Sequence, residues 1–530
     1  MTENDETTIP GKSNPDEIRF VTFNVNGVRT FFHYYPFSQM NTSLRSVFDF
    51  FNGDIISFQE LKTDTLAIPK WGKVDGFYSF ISIPLKKKGY SGVGCWVRIP
   101  PVNHPLHDKL RVVKAEEGIT GLLTVKIDGQ KVRYKDNCSI GLGGYDNLGI
   151  EDEEKLLNLD SEGRCVMVEL ACNTVVINVY LPANSGQTPE GEVFRMDFIK
   201  VLFNRIRNFD KIGKNVVLMG DINICRDLIE SAESLNNVPV NLSLYKNGSD
   251  IETAFKDQCQ NYILNVDVPH RRLLNRLLSD SIIPELAKDG ILIDSTRAKQ
   301  ARDRIKMYTV WNMQKNTRPS NFGSRIDLIL ISTALKESIH QADILPSIMG
   351  SDHCPVYTDL RTDRLEVIHD DHDVKIPKFE TRYKYNLRNQ DVLSMFAKRS
   401  NAPLSDDSVA TTSRKRPSSF GVAVSAKRTN SIDNFFTSKK VVRSKTVTPI
   451  ENSQPDTGIV FHKSTVAHDN VNTKSMKDVF GKPPCCKHGE EAVLKTSRTP
   501  NNPGKRFWAC KRSRGDTNDK EASCGFFQWV

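Results

Sequence analysis

The chain has 530 residues, more than one ordinary hydrophobic core of roughly 250–300 residues holds, so at least two parts are expected. A hydrophobic share of 38% excludes a wholly disordered chain, and no apolar run approaches the ~18 residues that a membrane span needs. The net charge of +9 is uneven: residues 371–530 carry 29 Lys+Arg against 16 Asp+Glu, whereas residues 1–370 carry 44 against 48, so the basic tail suits a polyanionic partner.

Residues 1–16 are polar and acidic and are expected to be disordered. Their pattern, MTENDETTIPGKSNP, lacks the charged-then-apolar order of a secretory signal, and the 11 scattered cysteines read as reduced intracellular thiols rather than a disulfide frame. From 17 to 365 short apolar runs alternate with polar segments, as in one α/β domain. IRFVTFNVN (18–26), DIISFQE (54–60), GVGCWVRI (92–99), CVMVEL (165–170), TVVINVYLP (174–182), NVVLMGDIN (215–223) and IDLILIS (326–332) predict buried strands. The stretches 40–51, 192–212 and 333–340 carry helical spacing. Strands dominate and lie close together, which favours packed, mainly antiparallel sheets over a doubly wound parallel one. Segments 130–162 and 228–290 look like insertions. Residues 366–480 have linker composition: 381–450 alone holds 14 Lys+Arg against 4 Asp+Glu with little apolar periodicity, and disorder is expected there. Structure is expected to resume over 481–530, where Cys, His and aromatics crowd together.

The predicted strands end in polar residues: Asn24 and Asn26, then Glu60 and Lys62, Tyr180, Asp221 and Asn223, with Asp327, Asp352 and His353 near the close. Singly, such residues are what turns and helix N-caps favour. Gathered on one rim they would repel one another unless a cation sat among them. Oxygen donors without clustered Cys or His favour Mg²⁺ or Mn²⁺ over zinc, and a site of that kind suits attack of water on a phosphate ester. No Gly-rich nucleotide loop accompanies them, which favours hydrolysis over ATP-driven transfer.

The ordered set FNVNG, QELK, GYSGVG (89–94), VYLP, MGDIN, YTVWN (308–312), SRID and GSDHCP resembles the exonuclease III family of DNA repair nucleases, part of the larger DNase I-like metal-dependent phosphodiesterases. The resemblance spans about 18–360. It implies a four-layered α/β sandwich, two packed mainly antiparallel sheets flanked by helices. It also implies roles. Glu60 would hold the metal ion with Asn26 and Asp352 beside it. Asp221 would orient or deprotonate the attacking water, with Asn223 fixing it. His353, paired with Asp327, would hold the scissile phosphate, and Tyr180 would stabilise developing charge as donor or phenolate. Asn24 would position Asp221 or the phosphate, and Lys62 would tune the rim.

Two departures stand out from that family's pattern. Ala183 follows the Tyr-x-Pro segment where the family commonly has Asn, with Asn184 one place later. The implied abasic pocket, formed by Val310, Trp311, Ser324 and Ile326, has Val310 and Ser324 where the abasic endonuclease branch carries aromatics. A thinner wall discriminates less, so stronger 3′-end processing relative to abasic incision is expected.

In the tail, C-x₂-H followed by two further cysteines fits a structural Zn²⁺ site. The block resembles the GRF-type zinc finger, which implies Cys485, His488, Cys510 and Cys524 as ligands, with Cys486 the alternative to Cys485. Lys505, Arg506, Lys511 and Arg512 with Phe507 and Trp508 offer charge and stacking faces for single-stranded DNA; a solvated basic face is the plainer reading. Ile432, Phe435 and Phe436 resemble the box that binds the sliding clamp PCNA, and Gln390–Phe396 is a second candidate. Arg414-Lys415-Arg416-Pro417 suits nuclear import. The sum is a nuclear, monomeric DNA repair nuclease acting on duplex DNA with abasic sites or blocked 3′ ends, without a membrane partner. A related phosphodiesterase of RNA or phosphoinositides, and a catalytically weak DNA-binding scaffold, are the alternatives.

Overall fold

The computed structural model describes residues 9–85, 87–238, 244–245, 247–368, 375–387, 484–496, 506–512 and 523–529. Runs such as IRFVTFN have no polar–apolar alternation, and a strand so composed must be covered on both faces. Two six-stranded sheets provide that cover. The first contains β1 (Ile18–Asn24), β2 (Ile55–Gln59), β3 (Phe77–Ser82), β4 (Val93–Arg98), β15 (Ile339–Ile344) and β16 (Val356–Leu360), in the order β15-β16-β1-β2-β4-β3. The second contains β5 (Val112–Glu117), β8 (Cys165–Leu170), β9 (Thr174–Tyr180), β10 (Asn215–Asp221), β11 (Leu292–Asp294) and β14 (Asp327–Ser332), in the order β11-β14-β10-β9-β8-β5. Small hairpins add β6 (Thr124–Ile127) with β7 (Gln130–Arg133), and β12 (Val310–Trp311) with β13 (Gly323–Ser324).

Phe20, Ile55, Cys95 and Val97 from the first sheet meet Val166, Val176, Met219 and Ile329 from the second in the central core. Within it, Gln59 Nε2 donates to Asn178 Oδ1 at 2.7 Å, a polar tie that fixes the relative placement of the sheets. Outside the first sheet lie Val47, Phe48 and Phe51 of helix Leu44–Phe51; outside the second lie Phe198, Leu202 and Ile206 of helix Pro189–Lys211. Helix, sheet, sheet, helix is the four-layered order. Each sheet is antiparallel except for one pair, β1 with β2 and β9 with β10. Those pairs bring four strand ends to one rim, with Asn24 opposite Gln59 and Asp221 opposite Tyr180.

The domain is longer than its apolar runs indicate. Residues 9–16 are not free of the fold: Lys12 Nζ lies 2.8 Å from buried Asp54 Oδ2, and Ile9 packs on the outer core of the first sheet. Residues 375–387, expected in the linker, cover edge strand β3. Phe379 packs against Phe80, Thr381 Oγ1 donates to the Ser79 carbonyl at 2.9 Å, and Lys384 pairs with Glu117 at 2.7 Å. Helical spacing at 333–340 resolves into a 3₁₀ turn, Thr333–Ser338, followed by β15. The described residues of 228–290 fold mostly as short helices, anchored by Glu230 to Arg297 and Arg325. No helix among the described residues is long and apolar enough to cross a membrane.

The tail forms a separate three-stranded sheet, β17 (Val493–Thr496), β18 (Arg506–Ala509) and β19 (Phe527–Trp529), antiparallel throughout.

Candidate active site

The rim is built from backbone that leaves the strands abruptly. Asn26, Glu60, Lys62 and Asn223 all adopt left-handed φ values between 46° and 51°, turning side chains inward just past β1, β2 and β10. Gly220, at φ 144°, must be glycine: an added Cβ would stand 2.0 Å from the Val179 carbonyl oxygen, and its closeness sets the approach of Asp221 to Tyr180.

Asn24 sits at the centre. Its Nδ2 donates to Glu60 Oε1 and to Asp221 Oδ2, both at 2.9 Å, so one amide joins the carboxylates of the two sheets. Its Oδ1 accepts from the Asn26 backbone N–H at 3.1 Å, and Asn26 Nδ2 donates to Asp352 Oδ1 at 2.8 Å. Lys62 Nζ lies 2.8 Å from Glu60 Oε2 and also donates to Asn26 Oδ1. Across the rim, His353 Nδ1 meets Asp327 Oδ2 at 2.8 Å and turns Nε2 towards Asp221 Oδ2 at 4.0 Å. Asn223 donates its backbone N–H to Asp221 Oδ1 at 3.0 Å and its amide to the Leu181 carbonyl at 2.8 Å.

Burial alone would push the His353 pKa down, yet Asp327, with help from Asp221 and Asp352, holds it up at about 10. Asp221 is raised by burial and by the charge of Asp327. Burial also opposes the Glu60 charge, but hydrogen bonds from Lys62 and Asn24 prevail and lower its pKa. Tyr180 is raised by burial, then by Glu60 and Asp221, with Arg164 opposing.

Among the described residues the carboxylates of Glu60, Asp221, Asp327 and Asp352 have direct ion pairs with Lys62 and His353, and Arg318 acts on Asp352 from farther away. Ligand atoms of Glu60, Asp221 and His353 lie within 4.8 Å of one another, and buried Asp327 Oδ1 has no hydrogen-bond partner. Excess negative charge on oxygen donors is what a hard divalent cation requires, so the residues present fit one.

Beside the rim runs a cleft of about 1070 Å³, lined by Asn26, Asp352, Val310, Trp311, Glu233 and Ser324, among others. Val310 pairs with Ser324 across β12 and β13. Trp311 is buried, its Nε1 donating to Asn321 Oδ1 at 3.1 Å under the Arg318 guanidinium. Ile326 is half-buried and is not among the residues that line the cleft. Asn184 cannot stand in for the amide absent at Ala183: its side chain is turned to the Thr188 carbonyl and Glu192, each at 3.1 Å, at the start of helix Pro189–Lys211.

In the tail, Cys486, His488, Cys510 and Cys524 converge. Cys486 therefore replaces Cys485 in the expected ligand set. Its Sγ lies 3.7 Å from His488 Nδ1, with Cys510 Sγ at 3.6 Å, whereas exposed Cys485 bridges through its backbone to Glu491. In extended chain adjacent residues face opposite ways, so only one of the two cysteines can turn inward. Four soft and borderline donors on a short segment fit zinc. Burial opposes the Cys510 thiolate, but backbone N–H groups of Cys524 and Arg512 outweigh it and bring its pKa to about 6.

The Endonuclease/Exonuclease/phosphatase family profile matches residues 21–353, and the GRF zinc finger profile matches 484–530. The chain belongs to the endonuclease/exonuclease/phosphatase family. Within it, the chain is 56% identical to the DNA-(apurinic or apyrimidinic site) endonuclease 2 of Saccharomyces cerevisiae over the full length of both. The enzyme of that name from Schizosaccharomyces pombe is 30% identical, covering 97% of this chain and 98% of that one. The crystal structure of the Xenopus laevis APE2 catalytic domain superposes with a TM-score of 0.51 at 26% identity, covering 70% of this chain and all of that one. Membership accounts for the sandwich and for a metal-dependent chemistry.

Phe507 and Trp508 lie on β18 in the finger, with Arg506 and Lys511 exposed and Arg512 paired to Glu490 at 2.7 Å. Sequence reading missed Phe527 and Trp529, which join Phe507 in an exposed aromatic cluster with ring centroids 4.7 and 5.6 Å from it. Their alternation along β19 was the available signal. It missed Arg164 as well, which bears on Tyr180. Ile432, Phe435, Phe436 and Lys505 lie outside the described residues.

Proposed function

We propose that the chain hydrolyses DNA phosphodiesters in repair, cutting 5′ of abasic sites and, as its stronger activity, removing blocked or mismatched nucleotides from 3′ ends. The observation that carries this reading is the single hydrogen-bonded cluster of Asn24, Glu60, Asp221, Asp327 and His353, spanning both sheets with more negative charge than its own cations neutralise.

Glu60, with Asn26 and Asp352, would hold Mg²⁺ or Mn²⁺, which when bound supplies charge stabilisation for the phosphoryl oxygens. Asp221 lies between Asn24 and the Asn223 backbone N–H, and so can orient a water and take its proton. Imidazolium His353, steadied by Asp327, offers its Nε2–H to the scissile phosphate. Tyr180 presents its hydroxyl beside the Glu60 carboxylate. Such chemistry is mostly positioning and charge stabilisation, which these groups supply together. Zn²⁺ would be held by Cys486, His488, Cys510 and Cys524, and the aromatic and basic face of β18 and β19 would hold single-stranded DNA. The catalytic part would run from residue 9 to 387 and the finger over 484–530. The segment between them would bind the sliding clamp through Ile432, Phe435 and Phe436 and carry the nuclear import signal.

The weighting towards 3′ ends follows from the cleft. Val310 and Ser324 form a thin wall and Ile326 does not line it, so a base-less sugar gains little over an intact nucleotide. The full chain in Mg²⁺ is tested on two labelled duplexes, one with an internal abasic analogue and one with a mismatched recessed 3′ end. Faster 3′ removal is expected, and Ser324→Trp should move the ratio about tenfold towards incision. Incision that greatly outpaces 3′ removal in the unmodified chain would refute the weighting.

A further inference from the structure

We infer that Arg164 is a positioning residue for the hydrolysis, its guanidinium clasped between Tyr180 and Tyr90 so that the Tyr180 hydroxyl is held towards the Glu60 and Asp221 carboxylates.

Arg164 stands immediately before β8, opposite the last residue of β9. The Tyr180 N–H donates to the Arg164 carbonyl at 2.9 Å, and Cys165 pairs with Val179 next along the ladder. Directly opposed residues of an antiparallel pair share a face, which brings the guanidinium over the phenol. The Arg164 Cζ lies 4.7 Å from the centre of the Tyr180 ring, a cation–π distance, and Nη1 donates to the Tyr180 carbonyl at 3.2 Å. The other edge is equally committed: Nη2 donates to the Tyr90 hydroxyl at 2.5 Å and Nε to Glu162 Oε2 at 2.6 Å. Tyr90 belongs to the 89–94 turn, which packs beside the metal-side segment through Leu61 N–H to the Gly92 carbonyl at 2.9 Å and Lys62 N–H to the Ser91 carbonyl at 2.9 Å. One side chain, only 4% exposed, therefore links the segment behind Glu60 to the Tyr180 phenol.

A buried arginine with a glutamate beside it also occurs for stability alone. Three features favour positioning here. Nη1 is aimed at Tyr180 and Nη2 at Tyr90, so the two ends of the fork reach both of the segments that flank the rim. The planar fork restricts the ring in a way a lysine could not. And the partner, Tyr180, is placed by the proposed function at the reacting phosphate. The inference rests on that placement of Tyr180.

The test is steady-state 3′-end removal by the full chain in Mg²⁺, with Arg164→Gln, Arg164→Lys, Tyr180→Phe and the Arg164→Gln/Tyr180→Phe double variant. Arg164→Gln is expected to lower kcat about 10- to 100-fold with KM within about threefold, and Arg164→Lys to recover part of the loss. In the Tyr180→Phe background, Arg164→Gln should cost less than about threefold, because both changes remove one effect. Losses that multiply in the double variant, or a change in KM alone, would overturn the inference while leaving the nuclease reading intact. An unchanged kcat in Tyr180→Phe would overturn both the inference and the assigned role of Tyr180. Should Arg164→Gln fail to fold, Arg164→Lys carries the same cycle, and Tyr90→Phe, which removes the Nη2 anchor and a long bond to Glu162, is expected to lower kcat by roughly threefold.

Discussion

Two clusters of buried charge lie close together, one in the loops of the second sheet and one on the rim shared by both sheets, and they differ in balance. Around Glu230, the carboxylates of Glu230, Asp294, Asp280, Asp227 and Glu252 alternate with the guanidinium groups of Arg226, Arg297, Arg302 and Arg325. Arg325 grips both oxygens of Glu230, at 2.7 and 2.8 Å, and reaches Asp294 at 2.6 Å. Burial opposes the Glu230 charge, yet Arg297 and Arg325 hold its pKa well below the usual range. Two residues along from Arg325, the rim begins at Asp327 and the balance is lost. A paired network fixes where backbone goes; an unpaired one waits for a ligand. Arg325 makes the first serve the second, since it anchors the strand that delivers Asp327 to His353.

Substitutions should therefore separate the two. Glu60→Ala is expected to cost at least about a thousandfold in cleavage of both duplexes while thermal unfolding stays close to that of the unmodified chain. Glu230→Gln should do the opposite first: it removes the buried carboxylate charge that Arg297 and Arg325 share, at about 3–5 kcal/mol of stability, read by denaturant unfolding. A stable Glu230→Gln protein, or an unfolded Glu60→Ala protein, would break the distinction.

Acid should sharpen it from a third position. His270 is buried behind the rim, between Arg195, which holds the Asn223 carbonyl at 2.7 Å, and Arg271. Burial and then those two charges push its pKa down to about 3, so the folded chain keeps it neutral. Below about pH 6.5 the unfolded chain takes up a proton that the folded one refuses, and stability falls as pH falls. His270→Leu should remove up to about 1.4 kcal/mol per pH unit from that slope between pH 6.5 and 5, measured by unfolding at each pH.

Much of this was legible in the sequence, for a physical reason. Strands buried on both faces write themselves as continuous apolar runs, and the rim residues follow them directly, so β1, β2, β9, β10 and β14 and their terminal Asn24, Glu60, Tyr180, Asp221 and Asp327 stand out. The edge strands did not: β3, β5 and β15 have a side open to solvent or covered by loops, and β5, VVKAEE, reads as charged. The strap at 375–387 escaped because it packs by a few side chains and by hydrogen bonds to β3, which leave no period. Cys486 could not be told from Cys485 without the turn of the backbone, nor Arg164 linked to Tyr180 without the register of β8 and β9. Local chemistry is written along the chain; pairing across it is not.

The smallest effect tests the imbalance itself. If the rim holds surplus negative charge, removing one carboxylate charge should stabilise the metal-free protein even as it abolishes function. Asp221 is the place to do it, because burial and the charge of Asp327 disfavour its ionised form; Asn keeps the acceptor for the Asn223 N–H and gives up the one that Asn24 donates to, so the gain is net of that bond. In EDTA, Asp221→Asn should gain about 1–2 kcal/mol, or roughly 1–3 °C in Tm for a domain of this size. Added Mg²⁺ should raise the Tm of the unmodified chain and raise that of Asp221→Asn less, since the charge that favours the ion has been reduced. A variant that is less stable in EDTA would mean that Asp221 is already balanced by His353 and Asn24. The surplus would then reside in Asp352, where Asp352→Asn should show the gain instead.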